Sequence, residues 1–378
     1  MSRQIDIKLL FAAVALVLFG TVMVYSASTM VSYKRFGGDM NFFLVRQLLK
    51  VFLSFVGLVI AASIDYRRWR KLSPLILGAS VVLILATLTP YLGGSGAIKG
   101  ARRWINIFGW TIQPSEFAKL ALIMFVATRL SYPGFDWKNI KKVSLMVVLP
   151  VALVLGMILI QPNIGMAVGL SLVILTMFVV AGMPKKYLVI MLVGLTVAIM
   201  FVVVVSPYAR ARILAFLFYE DPTGHGYQTR QSLIALGSGG FFGEGLGKSF
   251  QKLLFLPEVH TDFVFAIIGD ELGFIGCAIT IFLIGTIVYH GIKIAVRAKD
   301  MFGMLLAFGI SAEIFYFSAI NIAVVTKLIP TTGIPLPFVS YGGSQLLVHM
   351  FSVGILLNIS RYLAVSLNEK PIKIALET

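Results

Sequence analysis

The sequence predicts an all-α protein, a polytopic membrane bundle of about ten transmembrane helices with a large extracytoplasmic loop between helices 7 and 8. Of its 378 residues, 58% are hydrophobic and 13% are charged, and the mean hydropathy is +0.94. Soluble domains carry roughly 25% charged residues, so this composition excludes a water-covered surface. A spanning helix needs about 20 mostly apolar residues. Windows of that kind lie at 9–28, 44–63, 73–90, 114–131, 143–161, 164–181, 186–206, 263–290, 303–325 and 342–364.

The distribution of Lys and Arg between these windows predicts the orientation of the bundle. Positive residues in short loops stay in the cytoplasm. Four loops carry them: 67–71, 129–142, 185–186 and 293–299. They alternate correctly with the windows, so we expect both termini in the cytoplasm and the 207–262 segment outside. The net charge of +16 is thus partly topological and requires no nucleic acid partner. The single cysteine, Cys277, excludes a disulfide or a zinc site within one chain.

Several cations lie in predicted outer loops, against this topological bias. They are Lys99, Arg102, Arg103, Arg210, Arg212, Arg230, Lys248 and Lys252. One interpretation pairs them with Glu220, Asp221, Glu244, Glu258 and lipid headgroups. The other is a diphosphate site, for which Arg and Lys clamps are the expected chemistry. The length of the 207–262 segment supports a functional role, because unstructured connections rarely exceed about 15 residues otherwise.

Two further segments carry polar or irregular sequence at membrane depth. Pro114 suits the first position of a helix, which places Glu116 and Lys119 three residues apart on one face. Such a pair is either a substrate-site element or a buried ion pair that orients two helices. The second segment is 330–344, which carries no charge.

The segment 330–344 holds three prolines and three glycines, and the glycines are Gly333, Gly342 and Gly343. Such a stretch cannot form a continuous helix. Irregular backbone at membrane depth persists where it is buried in protein or lines a wet cavity. We therefore expect a re-entrant or cavity-lining loop, with Gly342 and Gly343 opening the last helix at an anion-accessible N-terminus. The alternative is an exposed turn.

Four motifs together resemble the SEDS family of bacterial cell-wall polymerases, and the resemblance spans essentially the whole chain. The motifs are Gly100 to Trp104 with Gln113 to Lys119; Gly226, Tyr227, Gln228, Gln231, Ser232 and Gly237 to Gly240; Leu256 to Asp262; and Pro335 to Gly343. The resemblance implies a single SEDS-type integral membrane domain over residues 1–378. It also implies a peptidoglycan glycosyltransferase that polymerises lipid II outside the bacterial cytoplasmic membrane with a class B penicillin-binding transpeptidase.

The resemblance also bears on the branch of the family. Ser249, Gln251 and Lys252, with Val22 to Ser28, look like the division branch typified by FtsW and its sporulation relative. Pro335 looks like the elongation branch typified by RodA. The division branch implies location at the septum and contact with other division proteins, and we favour it over elongation.

Polymerisation from a lipid-linked sugar diphosphate needs one base and several cations. The base removes a proton from the acceptor hydroxyl, and cations neutralise the departing diphosphate. Asp262 matches the family's catalytic aspartate and lies at the outer end of a span. An α-linked donor giving a β-linked product implies inversion in one displacement, with release of undecaprenyl diphosphate and no covalent intermediate. His260 and Glu258 are alternative bases, and for Asp270, Glu271 and Glu313 we favour buried pairing over catalysis.

The predicted substrate site combines these motifs with the outer cations. Its residues are Arg102, Arg103, Glu116, Lys119, Arg210, Arg212, Lys248, Lys252, His260, Ser340, Gly342 and Gly343. A divalent cation, Mg²⁺ or Mn²⁺, would also neutralise a diphosphate. His260 and Asp262 are too few to form a dedicated metal site, so no metal ligands are predicted.

Two other functions stay open at this point. A flippase or transporter of a lipid-linked precursor would use ionisable groups near mid-membrane and a broken helix near 330–343. A non-catalytic scaffold would use the outer charges to dock a partner synthase. The location of the essential acid separates these functions, because polymerisation requires it at the outer face.

Overall fold

The computed structural model describes residues 5–89, 103–107, 110–218, 224–253 and 255–363. The described residues form twelve helices and one short hairpin. The helices are α1 Ile7–Arg35, α2 Phe42–Ser63, α3 Tyr66–Leu88, α4 Pro114–Leu130, α5 Ile140–Ile160, α6 Ile164–Val180, α7 Lys185–Val205, α8 Pro207–Phe218, α9 His225–Ser238, α10 Val264–Val296, α11 Met301–Val325 and α12 Gly343–Ser360. The antiparallel strands β1 Ile105–Ile107 and β2 Trp110–Ile112 precede α4.

The predicted helical membrane bundle is confirmed. Each of the ten apolar windows falls on a helix, and eight of the helices in the described ranges are long and apolar enough to cross a membrane. The helices at the remaining two windows, α4 and α6, have 17 residues each. A helix of that length spans about 25 Å at 1.5 Å per residue, which is at the lower limit for a bilayer core.

Contacts between helix ends bring the starts of α1 and α3 together with the ends of α10 and α12. Asp6, which caps α1, lies 2.8 Å from His290 near the end of α10, and its backbone N–H donates to Ser360 Oγ at 3.2 Å. The backbone N–H of Tyr66 at the start of α3 donates to Asn358 Oδ1 at 2.8 Å. Helix starts and ends therefore meet on one face of the bundle. Both ends of the described chain lie at that face, as the predicted topology requires.

The α2 and α12 helices pack closely along one another because a glycine stands at their crossing. A Cβ built at Gly354 of α12 would lie 2.4 Å from the carbonyl oxygen of Leu58 in α2. Lipid tails are as apolar as the side chains they replace, so helices in a membrane associate through such close packing rather than through the hydrophobic effect. This contact fixes the position of α12, whose first residues line the cavity described below.

The segment 207–262, which is predicted to lie outside the membrane and is called the outer segment below, contains more regular structure than the sequence indicated. Residues 207–262 were predicted as a polar loop, but they include the helices α8 and α9. After α9 the chain folds back on the start of α10. The helical path of α10 is broken at Gly273, where φ is +65°, so nearby carbonyls lose their helical partners. Glu244 N–H donates to the carbonyl of Asp270 at 2.9 Å and Gly245 N–H to that of Glu271 at 3.0 Å. The break at Gly273 thus frees two carbonyls of α10 to hold the outer segment through hydrogen bonds.

Candidate active site

A cavity of about 290 Å³ lies between the outer segment, the hairpin, α4 and the irregular 330–342 segment. It is lined by both polar and apolar side chains. Its polar lining includes Lys50, Arg103, Gln113, Glu116, Asn163, Tyr208, Arg212, Glu258, Thr261, Asp262, Ser344 and Gln345. Gly333, Gly342 and Gly343 also line it. Three of the four motifs that the sequence analysis singled out therefore meet in one space, whereas the residues of the 226–240 motif lie outside this lining.

Asp262 lies in a turn, and hydrogen bonds to the backbone carbonyls of residues 260–262 hold it in place. Asn321 Nδ2 in α11 donates to the carbonyl of Asp262 at 2.8 Å and to that of Ile334 at 2.7 Å. Ser340 Oγ donates to the carbonyl of Thr261 at 2.5 Å, and Tyr341 N–H donates to that of His260 at 2.9 Å. The irregular 330–342 segment, as predicted, is largely buried and lines the cavity, and these bonds join it to the end of the outer segment.

Two arginines, the buried Arg103 and the half-buried Arg212, lie beside Asp262. Arg103 Nε donates to the carbonyl of Gln161 at 2.9 Å, and Arg212 Nη1 donates to that of Thr331 at 3.0 Å. Burial lowers the pKa of both guanidinium groups, and the neighbouring Tyr208 and Asp262 oppose that effect. Because an arginine stays protonated in proteins, both side chains remain cationic. The buried Arg212 Nε has no hydrogen-bond partner, so this guanidinium retains a donor for a ligand.

Gly333 lies next to both Arg212 and Asp262. Its φ is +73°, and a Cβ added there would lie 3.6 Å from both Arg212 Nη2 and Asp262 Oδ2, an ordinary van der Waals contact. The positive φ favours glycine here, because any other residue would strain the backbone. Gly333 thus shows that the guanidinium of Arg212 and the carboxylate of Asp262 face the same point of the cavity.

Glu116 and Lys119 form a buried charge network that begins at the cavity. Glu116 lines the cavity, and its Oε2 lies 3.0 Å from Lys119 Nζ. Lys119 is 1% exposed and also lies 2.8 Å from Glu313 Oε1 in α11. His349 Nε2 in α12 lies 3.1 Å from the same Glu313 oxygen. Glu116 thus faces the cavity, while Lys119 lies behind it and pairs with Glu313, the carboxylate that joins α4, α11 and α12.

Several residues of the predicted substrate site lie elsewhere. Lys252 is buried and lies 2.9 Å from Glu271 Oε1. Lys248 and Arg210 are exposed outside the cavity lining. Ser340 accepts a hydrogen bond from the N–H of Leu336 and donates one to the carbonyl of Thr261, so its hydroxyl holds the backbone in place. Arg102 lies outside the described residues, so its placement stays a prediction.

His260 is packed between aromatic rings rather than directed into the cavity. Its ring centroid lies 4.8 Å from that of Phe43 and 5.5 Å from that of Tyr341. Burial lowers the pKa of His260 to about 4, an effect that Glu258 opposes and the cations Arg35 and Lys50 reinforce. The side chain is therefore neutral near pH 7, and its contacts indicate packing.

The three carboxylates for which buried pairing was favoured are all paired. Glu271 contacts Lys252, and Glu313 contacts Lys119 and His349. Asp270 accepts a hydrogen bond of 2.5 Å from Ser238 Oγ and a second from Ser249 Oγ. These contacts join segments far apart in the sequence, as a structural role requires.

The sequence analysis missed several polar residues of the cavity, among them Tyr208 and Lys50. Tyr208, at the start of α8, hydrogen-bonds the guanidinium of Arg212. Lys50 lies within the apolar α2 helix and reaches the cavity wall. The available signal for Lys50 was a lone lysine inside a predicted span, since such residues are rare and face the bundle interior.

A family model described as a cell cycle protein, for FtsW, RodA and SpoVE, matches residues 7–364. The chain belongs to the FtsW/RodA/SpoVE family. Its resemblance to the SEDS family is thereby confirmed. As a member of this family with several apolar helices, it is a multi-pass membrane protein.

Similar proteins of this family cover nearly the whole chain. A protein of Trichlorobacter lovleyi named "Probable peptidoglycan glycosyltransferase FtsW" is 44% identical over 94% of this chain and 93% of its own. The stage V sporulation protein E of Bacillus subtilis is 41% identical over 94% of this chain and 97% of its own. A chain from a structural study of polymerisation and crosslinking by a peptidoglycan synthase complex has a TM-score of 0.76 and 26% identity. That match covers 94% of this chain and 98% of the other.

Proposed function

We propose that this FtsW/RodA/SpoVE family member is a peptidoglycan glycosyltransferase that polymerises lipid II into glycan strands by inverting transfer, releasing undecaprenyl diphosphate. The observation that carries the proposal is the carboxylate of Asp262 in a cavity shared with the cations Arg103 and Arg212. The naming of similar proteins as peptidoglycan glycosyltransferases supports the same function.

In this mechanism Asp262 accepts the proton of the acceptor hydroxyl as that oxygen attacks the anomeric carbon of the donor. The bond from this carbon to the diphosphate oxygen breaks, and its electron pair leaves with the diphosphate. Arg103 and Arg212 stabilise the charge that develops on the leaving group. Because inversion takes one displacement, a single carboxylate base suffices and no nucleophile is required.

The contacts of the buried ionisable groups favour a polymerase over a transporter. A transporter needs ionisable groups near mid-membrane that engage its cargo. Here Lys119 pairs with Glu313, and Glu271 pairs with Lys252. Asp262 lines the cavity, at the end of the segment that precedes α10. This arrangement supports the assignment of Asp262 as the essential acid at the outer face.

The branch, the partners and the location belong to the same proposal. Similar proteins named FtsW and stage V sporulation protein E are 41–44% identical to this chain, which supports septal synthesis in cell division over elongation of the RodA type. The match to a chain from a peptidoglycan synthase complex supports a class B penicillin-binding transpeptidase as partner. We place the protein in the bacterial cytoplasmic membrane at the septum, with both termini cytoplasmic and other division proteins nearby.

A divalent cation is not assigned a site. Among the described residues, no group of three or more His, Cys, Asp and Glu side chains is arranged to hold a metal ion. The described donors thus do not fit a dedicated protein-bound metal, and no step above depends on one.

The proposal is tested with the purified full-length protein, its transpeptidase partner and fluorescent lipid II. We expect the wild type to form glycan strands, and Asp262→Ala and Asp262→Asn to reduce the rate by at least about 100-fold, as loss of a general base does. Glu244→Gln is the control, because Glu244 is an exposed carboxylate of the same outer segment outside the cavity lining. Polymerisation by Asp262→Ala at the wild-type rate would rule out the assignment.

A further inference from the structure

Lys50 lies in an apolar helix, and none of the described carboxylates forms an ion pair with its ammonium group. It lies in the outer half of α2, four residues after Arg46, so two like charges share one face of this helix. In the described part of the chain, no carboxylate lies within ion-pairing distance of Lys50. A lysine in such a helix is costly unless a partner compensates its charge.

The surroundings of Lys50 compensate that cost only in part. Its Nζ lies 3.4 Å from the ring centroid of Tyr341, a cation–π contact. Such contacts contribute about 0.5–2 kcal/mol, whereas desolvating an ammonium group costs several kcal/mol. The side chain lines the cavity, so a ligand there can reach it.

The amino-terminal end of α12 brings further positive potential to the same wall. A Cβ added at Gly343 would lie 3.3 Å from Lys50 Cε. The N-cap residue Gly342 supplies no side-chain hydrogen bond to this helix end. Its first N–H groups lack intrahelical acceptors, and the helix dipole is positive here. A lysine and a helix N-terminus repel each other unless an anion lies between them, and both Gly342 and Gly343 line the cavity.

Lys50 is carried by other elements of the chain than the two arginines. Arg103 and Arg212 are held by carbonyls of the α5–α6 connection and of Thr331, and both interact electrostatically with Asp262. Lys50 belongs instead to α2 and contacts the start of α12. The cavity therefore offers cations from two parts of the chain, with the carboxylate of Asp262 in the same space.

We propose that Lys50 and the amino-terminal end of α12 bind a second diphosphate, the one retained by the acceptor during transfer. The inference rests on the proposed function, because transfer between two lipid-linked saccharides brings two diphosphates into one site. The leaving diphosphate is adjacent to the reacting carbon and belongs with Arg103 and Arg212 near Asp262. The acceptor's diphosphate lies at the far end of its saccharide from the attacking hydroxyl, and it belongs with Lys50.

The first test measures binding of inorganic diphosphate to the full-length protein in detergent by calorimetry. We expect two equivalents to bind to the wild type and one to Lys50→Met, which keeps the aliphatic stem and removes the charge. Lys50→Arg, which restores the cation, should bind two. A matching Tm for the three proteins shows that the variants are folded. Two equivalents with unchanged Kd in Lys50→Met would overturn the proposal.

The second test assigns the diphosphate to the acceptor. We expect Lys50→Met to raise the KM for lipid II about tenfold and to change kcat by less than a factor of two, a split that a misfolded site would not give. A lipid-linked saccharide lacking the terminal 4-hydroxyl can serve only as donor. Its KM as donor, measured in turnover with lipid II as the acceptor, should be unchanged in Lys50→Met and raised in Arg212→Met. A KM for this donor that is raised as much by Lys50→Met as by Arg212→Met would overturn the acceptor assignment.

These outcomes are distinguishable from failure of the proposed function. Polymerisation by Asp262→Ala at the wild-type rate would rule out Asp262 as the base. The number of diphosphates bound by Lys50→Met does not depend on turnover. Calorimetry thus tests the anion site, and polymerisation tests the base.

Discussion

Lys252 Nζ lies 2.9 Å from Glu271 Oε1, and this ion pair ties the outer segment to the interior of the bundle. Glu271 is fully buried in α10, and both of its carboxylate oxygens lie 2.7 Å from Ser26 Oγ of α1. Lys252 is also largely buried, and its Nζ lies 3.1 Å from the same hydroxyl. The pair therefore holds the chain just before the segment that ends at Asp262.

Removing one partner of this pair should destabilise the protein more than removing both. Lys252→Met leaves a buried carboxylate without its cation, which typically costs about 3–5 kcal/mol. The double variant Lys252→Met with Glu271→Met leaves no charge and should recover most of that loss. Thermal unfolding in detergent measures the difference. Equal Tm values for the single variant and the wild type would show that the pair contributes little.

Two glycines near the end of α9 should respond in opposite ways to alanine. A Cβ at Gly239 would lie 1.8 Å from the carbonyl oxygen of Gly269, a backbone atom that cannot move without shifting α10. A Cβ at Gly237 meets nothing within 4 Å. We expect Gly239→Ala to lower the yield of folded protein and the Tm sharply. Gly237→Ala should match the wild type or exceed it slightly, since alanine favours the helix by up to about 1 kcal/mol. Size-exclusion profiles and Tm check both; similar behaviour of the two would contradict the close approach of α9 and α10.

His260 should make the protein less stable in acid. Its pKa is about 4 in the folded protein, against an ordinary value of 6.5. Between these values the unfolded chain binds the extra proton, so stability falls as the pH drops from 6.5 to 4, by up to about 3 kcal/mol. His260→Phe should lose this part of the acid sensitivity. Unfolding at pH 7 and at pH 4.5 compares the two proteins; the same pH dependence in both would exclude His260 as its source.

Asn321 should act as a positioning residue for Asp262. One amide group donates to the carbonyls of both Asp262 and Ile334, which joins the two segments beside the carboxylate of Asp262. Asn321→Ala removes the donor, and hydrogen bonds of this kind contribute about 1 kcal/mol each. We expect kcat to fall about tenfold with a smaller change in KM, together with a modest fall in Tm. A fall confined to Tm would indicate a structural role alone.

Much of the architecture follows from local sequence. A span has to place about 20 apolar residues across the bilayer, so the ten windows could be located without knowledge of their neighbours. The irregular segment before α12 was equally predictable, because Pro335 and Pro337 prevent a helix through it. Asp262 could be placed at the edge of the bundle because the apolar run of α10 begins directly after it.

The chemistry of the individual charges depends instead on contacts between distant parts of the chain. Lys252 was predicted to bind substrate, yet its partners Ser26 and Glu271 are 226 and 19 residues away. Lys50 appeared to be one residue of an apolar span until the packing of α2 against α12 placed it at the cavity. A charge is stabilised by whatever lies within a few ångströms, and long-range packing sets those neighbours.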